Sequence, residues 1–206
     1  MRKILHQVWI QGESNLPAEY KENREKWKSR LGPEWDLILW DEQRAQARWA
    51  DYKEFSAECS HHAMRADLIL ARALRDIGGM ACGTDVIPNN IENLLCWLET
   101  NDSLVIVNVS GKSASNGLAY FADIGHPFIA CVCRHQLRDR RLLRHPNVWR
   151  VTGPGCWYEA LAAHPWNLSL ATDARAYTRF FSTGDRNNPL AWVDPGYAGS
   201  WHPKAQ

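Results

Sequence analysis

The chain has 206 residues, 45% hydrophobic and 23% charged, which suffices for one domain (1–206) around a real core. Lys and Arg number 24 against 23 Asp and Glu, a formal charge of +1, so net charge gives no hold on nucleic acid or an acidic membrane surface. No apolar run approaches the roughly 18 residues of a membrane span, and "MRKILHQVWIQG" turns polar too soon for a signal peptide. Six cysteines without C-x-x-C spacing read as reduced, mostly core-packing thiols of a cytoplasmic protein. Eleven tryptophans are an excess, and because indole rings stack on sugars and bases they favour a carbohydrate or nucleotide site.

In chain order, residues 3–9 alternate as a first buried strand. A helix follows, entered through Pro17 and stopped at Gly32-Pro33. "WDLILW" (35–40) is a second strand, and Asp41 caps a short helix after it. Residues 61–77 make the clearest helix, closed by Gly78. His61-His62 is its start rather than a metal pair, since adjacent residues face different ways. "MAC" and "DVI" are short extended pieces, "NIENLLCWL" (90–98) is helical and 103–109 is a buried strand. Residues 126–143 read as one helix, whose basic run 134–145 is a solvated face or a contact for a phosphate-bearing acceptor. Short strands are expected around 176–181 and 190–194. Strands alternating with helices imply an α/β domain with a mostly parallel, Rossmann-like sheet flanked by helices. Ligands of such sheets sit at the carboxyl ends of the strands, where Asp85 falls.

On a helix of 3.6 residues per turn, Ala63, Leu70, Leu74 and Ile77 share one stripe, and Arg65, Arg72 and Asp76 another. Asp67 lies on the apolar stripe. A carboxylate there needs partners, because an unpaired buried one costs several kcal/mol. It is either a structural acid bonded to amides or an arginine, or the wall of a polar ligand pocket.

The order "ILHQVWIQG", "WDLILWDE", "RADLILARALRDIGGMACGTDV" resembles glycosyltransferases with the DxD-containing sugar-binding region. That group holds yeast-type initiating α-1,6-mannosyltransferases and capsular-polysaccharide transferases, and is related to the glucosyltransferase domain of large clostridial toxins. Asp67 is followed by Gly78 after eleven residues and by Asp85 after eighteen, which fits the family register. "SNGLAYFADIGHPF", "VTGPGCW" and "GSW" look similar to later family segments, so the likeness runs along nearly the whole chain.

The resemblance implies a GT-A-type fold and transfer of a hexose from a UDP- or GDP-sugar to a glycan or other hydroxyl acceptor, with retention of configuration. It gives Trp9 a stacking role on the base, with Val8 and Gln7 beside its edge. A core tryptophan is the other reading of Trp9. Asp67 would bind ribose or sugar hydroxyls, Gly83 and Thr84 would line the donor, and Asp85 would contact Mn²⁺ or Mg²⁺. Ser200 and Trp201 would close a flap over the diphosphate. Asn116 would line the acceptor side, or simply form an Asn-Gly turn.

Three departures stand out. Gly83 occupies the first motif aspartate, Leu70 an arginine position, and Pro195, Gly196 and Tyr197 precede the Ser-Trp pair where relatives tend to carry a metal ligand. A cation can still be held by one carboxylate, diphosphate oxygens and waters. Otherwise basic side chains must stabilise the leaving diphosphate, and Arg65, Arg186, His202 and Lys204 are candidates. A catalytically inactive member that binds nucleotide or glycan, or acts as a scaffold, is the alternative. Transfer to a modified DNA base is a further one, disfavoured by the charge balance.

Overall fold

A computed structural model describes residues 3–107, 114–177 and 190–195. In chain order these are β1 (Lys3–Val8), α1 (Ala18–Leu31), β2 (Trp35–Trp40), α2 (Glu42–Arg48), α3 (Tyr52–Ser56), α4 (His62–Ile77), β3 (Gly79–Cys82) and β4 (Val86–Pro88). Then come α5 (Ile91–Thr100), β5 (Ser103–Val107), β6 (Ala114–Phe121), α6 (Pro127–Leu137), a 3-10 turn (Arg140–Arg144), α7 (Val148–Val151) and α8 (Pro154–Ala163). β7 (Leu170–Thr172), α9 (Asp173–Ala176) and β8 (Val193–Pro195) follow.

The main sheet has the order β2-β1-β3-β6-β5-β7, and β4 pairs with β8 in a separate ribbon. β1 is parallel to β2 and β3, β5 is parallel to β7, and β6 runs against both its neighbours. This is the expected mostly parallel sheet. From β1 the chain moves outward to β2 and then returns to the other side of β1 as β3. The carboxyl ends of β1 and β3 therefore flank a switch point, the place where such sheets open a crevice.

Side chains alternate between two cores. Leu5, Met80, Cys82, Leu104, Ile106 and Leu118 pack toward Trp27 of α1 and Leu94 of α5. Val8, Ala81, Val105, Ala119 and Phe121 pack toward α4, α6 and α8 on the other face. Period-two alternation in four strands is what sandwiches the sheet between helices.

Local chemistry sets the ends of the elements. The Asp41 side chain accepts from Arg44 N at 2.7 Å and starts α2. Gly78 and Gly79 have φ of 75° and 92°. A Cβ on Gly79 would lie 2.7 Å from Ile4 O, so the pair is needed to bring α4 directly into β3 beside β1.

Several expectations are corrected. Residues 126–143 are not one helix: α6 ends at Leu137, and Asp139 accepts from Arg141 N at 3.0 Å, starting a new turn that competes with continuation. Its basic run does lie on a solvated face, in exposed ion pairs of Arg138 with Glu159, Arg140 with Glu54, Arg141 with Asp139 and Arg144 with Glu58. Asn116 lies within β6, not in a turn. In the segment expected as a strand around 176–181, Ala176 ends α9, Tyr177 forms a parallel bridge with Val193, and 178–181 lie outside the described residues. Arg72, on the charged stripe of α4, is buried: Asp51 takes both its terminal nitrogens at 2.9 and 2.6 Å and Phe55 covers its face. Six of the ten described tryptophans are buried, so the excess mostly fills core instead of marking a sugar platform.

Candidate functional site

Two clusters meet at the carboxyl ends of β1 and β3. The first starts from Gln7, fully buried in β1. Its Nε2 donates to Gly83 O at 3.3 Å and to Cys82 Sγ at 3.4 Å, and its Oε1 accepts from Arg24 Nη1 at 2.7 Å. Gln7 thus ties α1 to the residue that replaces the first motif aspartate. Val86 N donates back to Gly83 O at 3.2 Å, closing a tight turn over Thr84 and Asp85.

The half-buried Asp85 carboxylate folds back over Gly83, so closely that a Cβ at position 83 would collide with Asp85 Oδ1. Its charge helps raise the Tyr20 phenol, after burial, and also raises the Cys82 thiol, which burial pushes up to about 12. Tyr20 meets Trp9 edge to face at 5.6 Å, and Trp9 Nε1 donates to Asn15 O at 3.1 Å. Trp9 is half-buried on a small cluster with Leu16, Tyr20 and Leu39. Val8 itself points into the core.

The second cluster surrounds Asp67. Asn116 Nδ2 donates to Oδ1 at 2.7 Å, and Thr152 Oγ1 donates to Oδ2 at 2.8 Å. Gln136 Nε2 fastens the Thr152 carbonyl at 2.8 Å and reaches the Asp67 carbonyl at 3.5 Å. Burial raises the Asp67 carboxyl to about 7, against the downward pull of Thr152 and then Asn116. Asp67 nevertheless keeps part of its surface accessible. It is therefore an acid held in place by neutral donors, poised between its charge states near neutral pH. Gly83 N donates to Gly117 O at 3.2 Å, which joins the two clusters through β6.

The other expected residues are distributed differently. Arg65 of α4 pairs with Glu42 at 3.5 Å, and Glu42 also accepts from Tyr52 at 3.2 Å, so its charge is engaged away from Asp85. Ser200, Trp201, His202, Lys204 and Arg186 lie outside the described residues. The sequence reading does not single out Arg24, Thr152 or Gln136 as site residues. A signal for Arg24 is its place one turn after Tyr20 on the buried edge of α1. Thr152 sits in the "VTGPGCW" segment, but no spacing rule connects it to Asp67, 85 residues away.

His6 is a structural histidine. Trp40 Nε1 donates to its Nδ1 at 3.2 Å, so Nε2 carries the proton and donates to Gly78 O at 2.8 Å. Burial lowers it to about 4, keeping it neutral.

Among the described residues no group of three or more His, Cys, Asp or Glu comes together to hold a metal ion. Asp85 is the carboxylate at the motif, and one carboxylate is a sparse donor set for a divalent cation. A groove of ≈600 Å³ lies elsewhere: Trp97, Arg175 and Trp192 line it, and none of the residues above does. Size alone is a weaker guide here than the convergence of polar groups at the switch point. Among the described residues no helix is long and apolar enough to cross a membrane.

No protein-family model matches the sequence, and no curated protein matches it. Among solved structures the fold is similar to that of "PaToxG Glycosyltransferase", with a TM-score of 0.56 and 14% identity over 77% of this chain and 67% of that one. The glycosyltransferase-type α/β fold implied by the ordered sequence segments is thus the architecture of this chain.

Proposed function

We propose that the protein is a nucleotide-sugar-dependent glycosyltransferase that moves a hexose from a UDP- or GDP-sugar to a hydroxyl of a glycan or other acceptor, with retention of configuration. The observation that carries this reading is the convergence of Asp67, held by Asn116 and Thr152, with the Gly83–Asp85 turn at the switch point of a glycosyltransferase-type sheet. In the reaction the anomeric C–O bond to the diphosphate breaks and one to the acceptor oxygen forms, while the acceptor proton leaves with the diphosphate. The protein's part is to orient the two substrates and to stabilise the departing charge. Asp67 accepts from donor hydroxyls, Trp9 and Tyr20 offer an aromatic edge for the base, and Asn116 presents the acceptor side. Asp85 is the residue toward which Mn²⁺ or Mg²⁺ would be drawn.

A second reading, nucleotide or glycan binding without turnover, is favoured by the single motif carboxylate and by the engagement of Arg65 with Glu42. Calorimetric titration with UDP and GDP, each with and without Mn²⁺, followed by a donor-hydrolysis assay, separates the two. Binding with turnover is expected. Binding without hydrolysis or transfer selects the second reading, and no binding at millimolar concentration rejects the first and, of the second, nucleotide binding.

Restoring the motif is expected to fail. Gly83→Asp puts a Cβ where Asp85 Oδ1 lies and a second negative charge beside it. We expect nucleotide affinity to drop in the absence of metal, roughly tenfold for one displaced charged contact. Equal or tighter binding without metal would show that the Asp85 position over Gly83 is immaterial.

A further inference from the structure

We propose that Arg24 supplies the fixed positive charge that grips the donor's diphosphate. The inference rests on the glycosyltransferase reading and names the group that does for this chain what a fuller metal site does elsewhere.

Arg24 projects from α1 between Tyr20 and Trp27, both buried, so its guanidinium is drawn under the helix instead of into water. There it loses solvation, and this lowers its pKa before any charge does. Its hydrogen-bond partner among the described residues is a neutral amide oxygen, Gln7 Oε1, at 2.7 Å. Glu13 and Glu25 act on it only through space, and Arg44 opposes it. A guanidinium that is half-desolvated, next to another cation and, among the described residues, without a carboxylate at ion-pair distance keeps charge and donors to offer a ligand. The arginines of α4 differ. Arg65 holds Glu42, Arg72 holds Asp51 and Arg75 holds Asp76.

Its surroundings fit the same role. Gln7 bridges Arg24 to Gly83 O, and the Asp85 carboxylate lies over Gly83. Arg24 thus stands one side chain, Gln7, away from the motif turn. The planar fork of an arginine matches two phosphate oxygens at once, and the remaining nitrogens of Arg24 have no described partner to give up. The neutral Gln7 orients the guanidinium without cancelling its charge, which an acid at that position would do.

The test compares UDP and GDP with uridine and guanosine in calorimetric titrations of wild type, Arg24→Lys and Arg24→Gln, all in EDTA. Wild type is expected to bind a diphosphate without metal. Arg24→Gln should weaken the diphosphate by roughly tenfold to a hundredfold and leave the nucleoside unchanged, with Arg24→Lys in between. Thermal unfolding checks each variant. If Arg24→Gln does not fold, Arg24→Lys decides, because it keeps the charge and loses only the fork. Unchanged diphosphate affinity overturns the inference, and so does an equal loss for the nucleoside, which would mean that Arg24 acts only by shaping Gln7. Wild type that binds only with Mn²⁺ overturns it too. Wild type that binds no nucleotide under any condition refutes the glycosyltransferase reading itself, a result distinct from all of these.

Discussion

Asp67→Asn is expected to weaken donor binding by roughly tenfold to a hundredfold at pH 8, the loss of a charged hydrogen-bond acceptor, while unfolding no earlier than wild type. The second half is the less obvious. Burial raises the Asp67 carboxyl to about 7 in the folded protein, whereas in the unfolded chain it is near the ordinary value of 3.8. The folded state therefore binds the proton more tightly than the unfolded state. The stability this group contributes is fully present below about pH 4 and is lost as pH rises through about 7. At about 1.4 kcal/mol for each pKa unit, the loss across that window is on the order of 4 kcal/mol, and nothing more is lost above it. The amide in Asp67→Asn cannot ionise. The stability difference between variant and wild type should thus grow in favour of the variant between about pH 4 and about pH 7 and then level off. Urea unfolding of both proteins at several pH values measures it, and the groups common to both cancel. Parallel stability curves would show that Asp67 is not held in its neutral form by burial. In wild type, donor affinity should rise with pH toward and past about 7, because the hydroxyl-accepting form is the carboxylate; in the variant it should be flat.

Trp27→Ala is expected to cost about 3–5 kcal/mol, the range for deleting a fully buried tryptophan. Trp27 has no exposed surface, and its Nε1 donates to Val86 O at 2.8 Å. Val86 N in turn closes the turn that contains Asp85. The residue therefore fills the core under α1 and anchors the motif turn at the same time. Trp27→Phe keeps most of the volume but leaves the Val86 carbonyl without its donor, a loss of about 1–3 kcal/mol. Chemical denaturation gives both costs. Hydrogen exchange at the Val86 amide reads the second function, and it should quicken in Trp27→Phe by more than global unfolding explains. Exchange that follows global stability alone would mean that the turn stands without Trp27.

Elements whose cause is local were legible in the amino-acid order. Asp41 begins α2, Gly32 and Gly78 end α1 and α4, and short apolar runs define β1, β2 and β5. These follow from caps, left-handed glycines and apolar patterning, all of which act within a few residues. Where two local signals compete, the pattern misleads. Asp139 interrupts a helix that apolar spacing would continue, and an Asn-Gly pair that suits a turn lies in β6, at the irregularity where its register with β5 shifts and Gly83 N donates to Gly117 O. β6 is also the strand that runs against the rest, a feature decided by partners far along the chain.

The site divides in the same way. The sequence alone marked Asp67 as an acid on an apolar face and placed Gly83 and Asp85 in register with it. Which groups answer Asp67 was decided only by the fold, since Asn116 and Thr152 come from 49 and 85 residues away. The tertiary structure likewise separated four arginines that look alike in the sequence, because α2 and α3 bring acids to Arg65 and Arg72, Asp76 turns to Arg75, and Arg24 receives a glutamine. Charge type is written in the chain. Whether a charge is already satisfied depends on what packing brings within about 4 Å of it, and only the folded protein determines that.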